Sequence, residues 1–142
     1  MYHTIVIVGH LGRDPEMRYL PSGQAVTNFN VATSRQYTGS DGNLVKETIW
    51  FRVAVWGKQA EACNQYLKKG RAVLVEGRLT PDPSTGGPRL WNRQDGTVGA
   101  SFEVNAQTVR FLSGRGDEEG SYQSGGYGAE QAATGADEDI PF

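Results

Sequence analysis

Apolar and polar residues alternate along residues 49–58 with the two-residue period of a β-strand. One face of this strand would carry an unbroken apolar row that suits a protein core, namely Ile49, Phe51, Val53 and Val55. The opposite face would carry Trp50, Arg52, Ala54 and Trp56. A helix is disfavoured because β-branched and aromatic residues fill the run and Gly57 ends it.

Two interpretations of the second face are possible from the sequence. The strand could be buried on both sides, with both indoles in the core, because Trp is usually well buried. Arg52 argues against this, since arginine is rarely buried without a partner. Alternatively, the face is a stacking platform, whose flat rings accept any base while Arg52 and Lys58 neutralise phosphates. That composition is typical of a surface that binds single-stranded nucleic acid.

The remaining pattern predicts a chain of five strands and one helix. Strands are predicted over residues 4–8, 25–35, 47–56, 72–79 and 100–112, with the helix over residues 59–69. The first strand is almost wholly apolar, so we expect it to be buried on much of both faces. The apolar parity of the last strand slips between Ala106 and Val109, which predicts a bulge there.

The helix is predicted from its apolar face and from its end signals. The residues that share this face are Ala60, Cys63, Tyr66 and Leu67. Lys68 and Lys69 would occupy the last turn, and Gly70 would cap it. Earlier in the chain, Gly9 and Gly12 follow the first strand, and paired glycines in that position indicate a bulge or a tight corner.

The order of these elements is that of an all-β OB-fold, a five-stranded Greek-key barrel, with the one helix between the third and fourth strands. The OB-fold characteristically offers its second and third strands and its long hairpin loops to oligonucleotides or oligosaccharides. Aromatic residues lie where that surface is expected: Trp50, Trp56, Tyr37 and, in the long segment of residues 80–98, Trp91. Cations accompany them, since Arg35 stands beside Tyr37, and Arg89 and Arg93 flank Trp91.

Charge divides the chain into two parts. Residues 1–112, the predicted domain, carry thirteen Lys and Arg against nine Asp and Glu, a net charge of +4. Residues 113–142 carry one Arg against seven acids, a net charge of −6. A basic body with an acidic tail points to a polyanionic partner for the body.

The tail has two predicted parts. Residues 113–136 are rich in Gly, Ser, Gln and Glu and lack Leu, Ile, Val and Phe, so we expect a disordered linker. The chain then ends in Asp137, Glu138, Asp139, Ile140, Pro141 and Phe142. A merely solubilising tail would explain the acids but not the apolar end, so we expect residues 137–142 to dock on partner proteins.

Several classes of function are disfavoured. Cys63 is the only cysteine, which excludes an internal disulfide and a zinc–thiolate cluster, and His3 and His10 stand alone. We therefore expect no metal or cofactor. A nuclease would need clustered carboxylates, whereas the acidic residues are scattered along different predicted elements, so we expect no enzyme. No apolar run approaches the ~20 residues of a membrane span, and no leader precedes the first strand, so we expect a bacterial-type cytoplasmic protein.

Together these features closely resemble the bacterial single-stranded DNA-binding protein (SSB) family, and the resemblance covers essentially all 142 residues. Four segments carry it and are jointly specific: residues 8–19 (VGHLGRDPEMRY), 50–58 (WFRVAVWGK), 66–77 (YLKKGRAVLVEG) and 137–142 (DEDIPF). Residues 81–90 depart from the family pattern.

The resemblance implies roles for individual residues. Trp50, Trp56 and Trp91 match the base-stacking aromatics of the family, and Arg18, Arg52, Lys58 and Lys69 match basic contact positions. Tyr37 stands where better-known relatives carry Trp, and Trp56 stands where they often carry Phe. Both changes preserve a ring on which a base can stack.

The resemblance also implies a homotetramer around which a long single strand wraps, and a tail tip that recruits replication, recombination and repair enzymes. The leading hypothesis is therefore a sequence-independent binder of single-stranded DNA with no chemistry of its own. The alternative is an OB-fold RNA binder of the cold-shock or tRNA-binding kind. It is disfavoured because the chain has no aromatic-rich run of the RNP type and because the acidic tip has no role there.

Overall fold

Seven strands and one helix follow one another along residues 1–112, the part of the chain that the computed structural model describes. Their bounds are β1 (Ile5–Leu11), β2 (Glu16–Tyr19), β3 (Ala25–Thr38), β4 (Leu44–Trp56), α1 (Lys58–Tyr66), β5 (Ala72–Thr80), β6 (Arg89–Asn92) and β7 (Val98–Leu112).

Five of the strands close into a ring in the order β1–β5–β7–β4–β3, and β3 then returns to β1. All neighbouring pairs in this ring are antiparallel except β4 and β7, which are parallel. The helix lies between the third and fourth barrel strands in chain order. The predicted five-stranded OB-fold barrel is therefore confirmed.

The barrel closes at a short seam between β1 and β3. Only His10 and Leu11 of β1 pair there, with Ala32 and Val31 of β3. A β-carbon on Gly9 would lie 2.2 Å from the carbonyl oxygen of Ala32, so the two strands can approach this closely only because Gly9 has no side chain. The predicted bulge or corner at Gly9 is wrong, because β1 continues through Gly9 to Leu11 and keeps its register with β5 as far as His10.

The core fills the barrel with β-branched and aromatic side chains, which suit a pleated surface. Its fully buried members include Phe29, Val31, Val53, Val55, Val73, Val75 and Val104. Helix α1 lies against this core through Ala60 and Cys63, and the buried hydroxyl of Thr27 donates a 2.6 Å hydrogen bond to the carbonyl oxygen of Ala60. Burial raises the pKa of the Cys63 thiol to about 11, so the thiol stays protonated at neutral pH.

The predicted bulge in the last strand is confirmed. The register of β5 with β7 shifts between Glu76 and Gly77, which skips Gln107 of β7. The side chain of Gln59 in α1 spans the irregularity. Its amide nitrogen donates to the carbonyl oxygen of Gln107 at 2.8 Å, and its amide oxygen accepts from the backbone N–H of Val109 at 3.0 Å.

The predicted end of the helix is wrong by three residues. The helix ends at Tyr66, and Leu67 turns into an extended conformation that buries its side chain in the core. The N–H groups that a longer helix would have used bind elsewhere: that of Lys69 donates to the Asp14 carboxylate, and that of Gly70 donates to the carbonyl oxygen of Leu11. Gly70 is therefore not the helix cap, and Tyr66 is exposed rather than buried.

Two short strands were not predicted. β2 pairs with residues 25–28 of β3, and β6 forms a hairpin with the first residues of β7 inside the segment of residues 80–98. Both consist largely of exposed residues, so they carry no apolar alternation that would reveal them. The β3–β4 hairpin is also longer than predicted at its distal end, because its strands continue pairing to Thr38 and Leu44 beyond the barrel.

Two predictions of burial are wrong. Val6 and Val8 of β1 are 58% and 56% exposed, because they point outward from the barrel wall, where nothing in residues 1–112 covers them. Ile49 is 45% exposed, because it lies on the part of the β3–β4 hairpin that extends past the core. Both predictions assumed that an apolar side chain in a strand is buried within its own chain.

The close approach of β1 and β3 at Gly9 predicts that a side chain at this position destabilises the protein. Gly9→Ala should lower the free energy of unfolding by about 1–3 kcal/mol, the usual effect of forcing extra volume into a packed site. Gly87→Ala is the matched control, because its added carbon would meet only the Thr85 hydroxyl at 3.7 Å. Urea denaturation of the two variants measures the difference, and equal stabilities would show that the seam tolerates widening.

Candidate nucleic-acid interface

The outer faces of β3 and β4 form a shallow surface, which we call the basic trough. The register of the two strands places four residues of β4 beside four of β3, as the pairs Trp50–Ala32, Arg52–Asn30, Ala54–Asn28 and Trp56–Val26. The outer face of β7 adjoins that of β4, so that Glu103 lies opposite Arg52 and Asn105 lies opposite Ala54. The trough is thus one continuous outer face across three strands.

Exposure decides between the two interpretations of the tryptophan face. Trp50 is 53% exposed and Trp56 is 38% exposed, whereas Val53 and Val55 on the other face of the same strand are fully buried. The strand is therefore not buried on both sides within this chain. The indoles are available to a ligand.

Two of the indoles lie on glycines. A β-carbon on Gly12 would lie 2.4 Å from the ring of Trp50, and one on Gly99 would lie 2.7 Å from the ring of Trp91. Trp91 is also the direct cross-strand partner of Gly99. Each ring therefore lies close to bare backbone at its glycine, while about half of the residue stays exposed to solvent.

Three recesses follow the trough, and Arg52 lines all of them. One, of about 240 Å³, lies over Ala54 between Trp56, Arg18 and Arg89. A second runs along Arg18 and Arg13, and a third, of about 280 Å³, separates Trp50 from Trp91. The structure thus brings together six of the predicted residues: Trp50, Trp56, Trp91, Arg18, Arg52 and Arg89.

The cations of the trough differ in how they are held. Arg52 forms no ion pair or hydrogen bond through its side chain within residues 1–112, so its charge is free for an anion. Arg89 lies 3.8 Å from the Glu103 carboxylate. Arg93 lies over the ring of Trp91, with 5.1 Å between its guanidinium carbon and the ring centroid, and also donates to the Thr97 hydroxyl.

Tyr37 and Arg35 are not part of the trough. They lie near the end of the β3–β4 hairpin, at odd-numbered positions that share their face with the core residues Phe29 and Val31, opposite the face of Trp50. The Arg35 guanidinium donates to the Glu47 carboxylate at 2.7 Å and lies 5.1 Å from the Tyr37 ring centroid. The Tyr37 hydroxyl donates to the same carboxylate at 3.1 Å, so Glu47 already neutralises Arg35.

The two predicted lysines lie outside the three recesses. Lys58 is the first residue of α1, two positions after Trp56, and its side chain is exposed. Lys69 lies in the turn that follows α1, also exposed, with its backbone held by Asp14. The predicted docking residues 137–142 and the linker of residues 113–136 lie outside the described residues.

Sequence reasoning missed several residues of this face. Asn28 and Asn30 lie on the outer face of β3, and each lines two of the recesses. Lys46 shares the outer face of β4 with Trp50 and Arg52, and its even position in the strand could have revealed this. The asparagines could not be recognised before the β3–β4 register was known.

Residues 1–112 contain neither a metal-binding cluster nor a helix that could cross a membrane. No three His, Cys, Asp or Glu side chains gather there in a way that would hold a metal ion. The one helix of this range is too short and too polar to cross a membrane.

The Glu47 cluster predicts a pH effect. The hydrogen bond from Arg35, and then that from Tyr37, holds the pKa of the Glu47 carboxyl below its ordinary value. A lowered native pKa contributes stability above the unfolded pKa, and this contribution is lost as pH falls through the native pKa. Arg35→Ala should raise the pKa of Glu47 towards its ordinary value in a carboxyl-carbon NMR titration. Lys46→Ala, on the opposite face, should shift it less, and equal shifts would contradict the cluster.

Comparisons with known proteins give matches over most of this chain. The Single-strand binding protein family matches residues 2–112. The single-stranded DNA-binding protein 1 of Chlorobaculum tepidum is 38% identical over 99% of this chain and 97% of its own length. The single-stranded DNA-binding protein of Wolinella succinogenes is 37% identical over 89% of this chain and 74% of its own. These names describe binding, in agreement with the expectation that the chain is not an enzyme.

Solved structures share the fold. The single-stranded DNA-binding protein of Thermus aquaticus superimposes with a TM-score of 0.59 at 31% identity, over 80% of this chain and 51% of that chain. This chain therefore spans about half of the Thermus protein. A Plasmodium falciparum SSB in complex with ssDNA superimposes with a TM-score of 0.64 at 24% identity, over 80% of this chain and 97% of that chain. At this level of identity, the match supports a shared fold and nothing further. On the family match and on the identity to full-length relatives, the chain belongs to the single-strand binding protein family.

Proposed function

We propose that this protein binds single-stranded DNA through the basic trough, without requiring a particular sequence. The observation that carries the proposal is the arrangement of Trp50, Trp56 and Trp91 on one face around the unpaired Arg52. A ring with one open face accepts any base, since every base has a π-face. A cation between the rings attracts the phosphates that link those bases.

A duplex fits this surface poorly. Its bases are stacked on one another and hidden from a flat ring, whereas a single strand can turn its bases towards the protein. The relatives in Chlorobaculum tepidum and Wolinella succinogenes are named for single-stranded DNA binding, which supports the same partner here. Matched RNA oligomers test the alternative of an RNA binder, and we expect them to bind more weakly.

Residues around the trough extend the proposed path. Lys58, Lys69 and Arg93 are exposed cations outside the three recesses, and we assign them to phosphate contacts. Tyr37 and Arg35 would form a separate contact on the other face of the β3–β4 hairpin. There, Tyr37 supplies the stacking ring, and Glu47 limits the charge that Arg35 offers.

We further propose that the chain assembles as a homotetramer. The outward side chains of Val6 and Val8 are apolar and more than half exposed, and Leu74 is the cross-strand partner of Val8 in β5. The edge of β1 along residues 5–9 also lacks a strand partner on its β3 side within residues 1–112. An apolar face beside an open strand edge favours pairing with another copy.

The tail would serve the same activity. We propose that residues 137–142 recruit replication, recombination and repair enzymes to the bound strand, with residues 113–136 as the tether. In that role the protein would work on exposed DNA of the cytoplasmic nucleoid. The acidic residues of the tip suit a basic partner surface, and Ile140 and Phe142 suit an apolar pocket.

The stacking role predicts a loss of affinity without a loss of stability. Trp50→Ala and Trp56→Ala should each weaken binding to poly(dT) by about 1–3 kcal/mol, the range found for base–aromatic stacking in single-strand-binding OB-folds. Tyr66→Ala is the control, because this exposed aromatic lies on α1, outside the trough. Fluorescence titration measures affinity, and thermal unfolding measures stability. A variant that unfolds early yet binds normally would place its indole in the core.

The charge division predicts the effect of removing the tail. Binding should weaken steeply with salt, with a logarithmic slope of about −0.7 for each phosphate neutralised. Deleting residues 113–142 removes six net negative charges, so affinity should stay equal or increase, most visibly at low salt. A full-length variant whose seven tail acids are changed to Asn or Gln should behave like the truncation. A clear loss of affinity in both would assign the tail to the binding surface.

The proposed docking role of residues 137–142 can be tested with peptides. In a peptide that ends at Phe142, the aromatic ring adjoins a carboxylate, which is ionised at neutral pH, so both groups can enter one basic-rimmed pocket. Binding of a repair or replication enzyme should be strong for a peptide of the native tip and lost for the tip without Phe142. It should also be lost for a tip extended by several glycines, because the extension displaces the carboxylate. Equal binding of all three peptides would leave only a diffuse acidic attraction.

A further inference from the structure

Gly99 is the one buried residue in the segment of residues 88–100, whose other members are all exposed. It lies in β7, directly opposite Trp91 of β6. A β-carbon on Gly99 would have as its three nearest neighbours atoms of the six-membered ring of Trp91, namely Cε2 and Cζ2 at 2.7 Å and Cη2 at 3.0 Å. The indole of Trp91 therefore covers Gly99.

The backbone at residue 99 does not require a glycine. Its φ angle lies outside the left-handed region in which Gly96, at the turn of the same hairpin, is found. A glycine inside a strand weakens that strand, because it adds backbone entropy to the unfolded chain and packs no side chain. What Gly99 provides is space, since a side chain at this position would overlap the indole.

Contact with Gly99 ties the ring of Trp91 to the barrel. β6 pairs with β7 and with no other strand of residues 1–112, whereas β7 pairs with both β4 and β5. Trp50 lies on β4, and the recess of about 280 Å³ separates its ring from that of Trp91. The distance between these two rings therefore depends on how the indole of Trp91 lies on β7.

Arg93 restrains the same ring from a second position. Its guanidinium carbon lies 5.1 Å from the centroid of the Trp91 ring, a distance at which a cation and an aromatic ring attract each other. The guanidinium also donates a 3.3 Å hydrogen bond to the Thr97 hydroxyl, on the opposite strand of the hairpin. The exposed indole thus has defined neighbours in the absence of a ligand.

We propose that Gly99 is a positioning residue for single-stranded DNA binding, because it lets the indole of Trp91 lie against β7 beside the recess. This inference rests on the proposed single-stranded DNA binding and explains how one of its rings is placed. A freely moving side chain loses rotamer freedom when a ligand orders it, and this loss weakens binding. The contact with Gly99 orders the ring beforehand. The contribution does not depend on the base, since every base has a π-face.

Replacement of Gly99 tests the proposal. Gly99→Ala should weaken binding to poly(dT) about threefold to tenfold, the usual effect of having to order one side chain. Gly99→Val should weaken binding further, because its larger side chain displaces the ring more. Neither variant should lower the temperature of thermal unfolding, since the ring is exposed and a strand does not favour glycine. Gly87→Ala is the matched control and should bind normally, because its added carbon would meet only the Thr85 hydroxyl at 3.7 Å.

A double-mutant cycle separates positioning of the ring from distortion of the hairpin. In a Trp91→Ala background, Gly99→Ala should leave the affinity unchanged, because no ring remains to be displaced. A distorted hairpin would instead lower the affinity in both backgrounds, because it would also move Arg89 and Arg93.

A spectroscopic measurement follows the ring without DNA. The chain has three tryptophans, so Trp50→Phe and Trp56→Phe together leave Trp91 as the single emitter. In this background, Gly99→Ala should make the fluorescence anisotropy of Trp91 decay faster, because the ring moves more freely.

Unchanged affinity in both Gly99→Ala and Gly99→Val, or an equal loss with and without the Trp91 ring, would overturn the inference. An anisotropy decay that Gly99→Ala does not alter would overturn it as well. Failure of the unaltered protein to bind poly(dT) would instead overturn the proposed function on which the inference rests.

Discussion

The pairing of β3 with β4 is the constraint on which the rest of the structure depends. Thirteen consecutive residue pairs join the two strands without a register shift. A slip of one residue would exchange the two faces, so that Val53 and Val55 would leave the core and the indoles would enter it. This ladder therefore determines both what stabilises the barrel and what its outer surface offers.

The proposed stacking surface requires rings that are held in place and yet remain exposed to a ligand. Gly12 and Gly99 solve this problem for Trp50 and Trp91, because bare backbone supports one side of each ring. The arginines of this region differ in how strongly each is paired with a carboxylate. Arg52 is free, whereas Arg89 lies close to Glu103 and Arg35 is neutralised by Glu47. The arginines therefore differ in how much of their charge is left for an anion.

Much of the fold could be predicted, because the barrel strands of this protein carry their burial pattern in local alternation. Val53 and Val55 alternate with Arg52 and Ala54, so the direction of the core is visible without a neighbour. The bulge of the last strand was predicted for the same reason, as a break in parity near Gln107. β2 and β6 escaped prediction because they are held by pairing with a longer strand and bury little.

By itself, the sequence determined the barrel class, the two faces of the central strand and the division into a basic body and an acidic tail, since these depend on local periodicity and composition. Only the tertiary structure decided which residues share the trough. Asn28 faces Ala54 because of strand register, and Tyr37 lies on the opposite face from Trp50 because β3 stays paired to Thr38 and so keeps Tyr37 at an odd position of the strand. Contacts of this kind join residues that are far apart in the chain, and no local pattern records them.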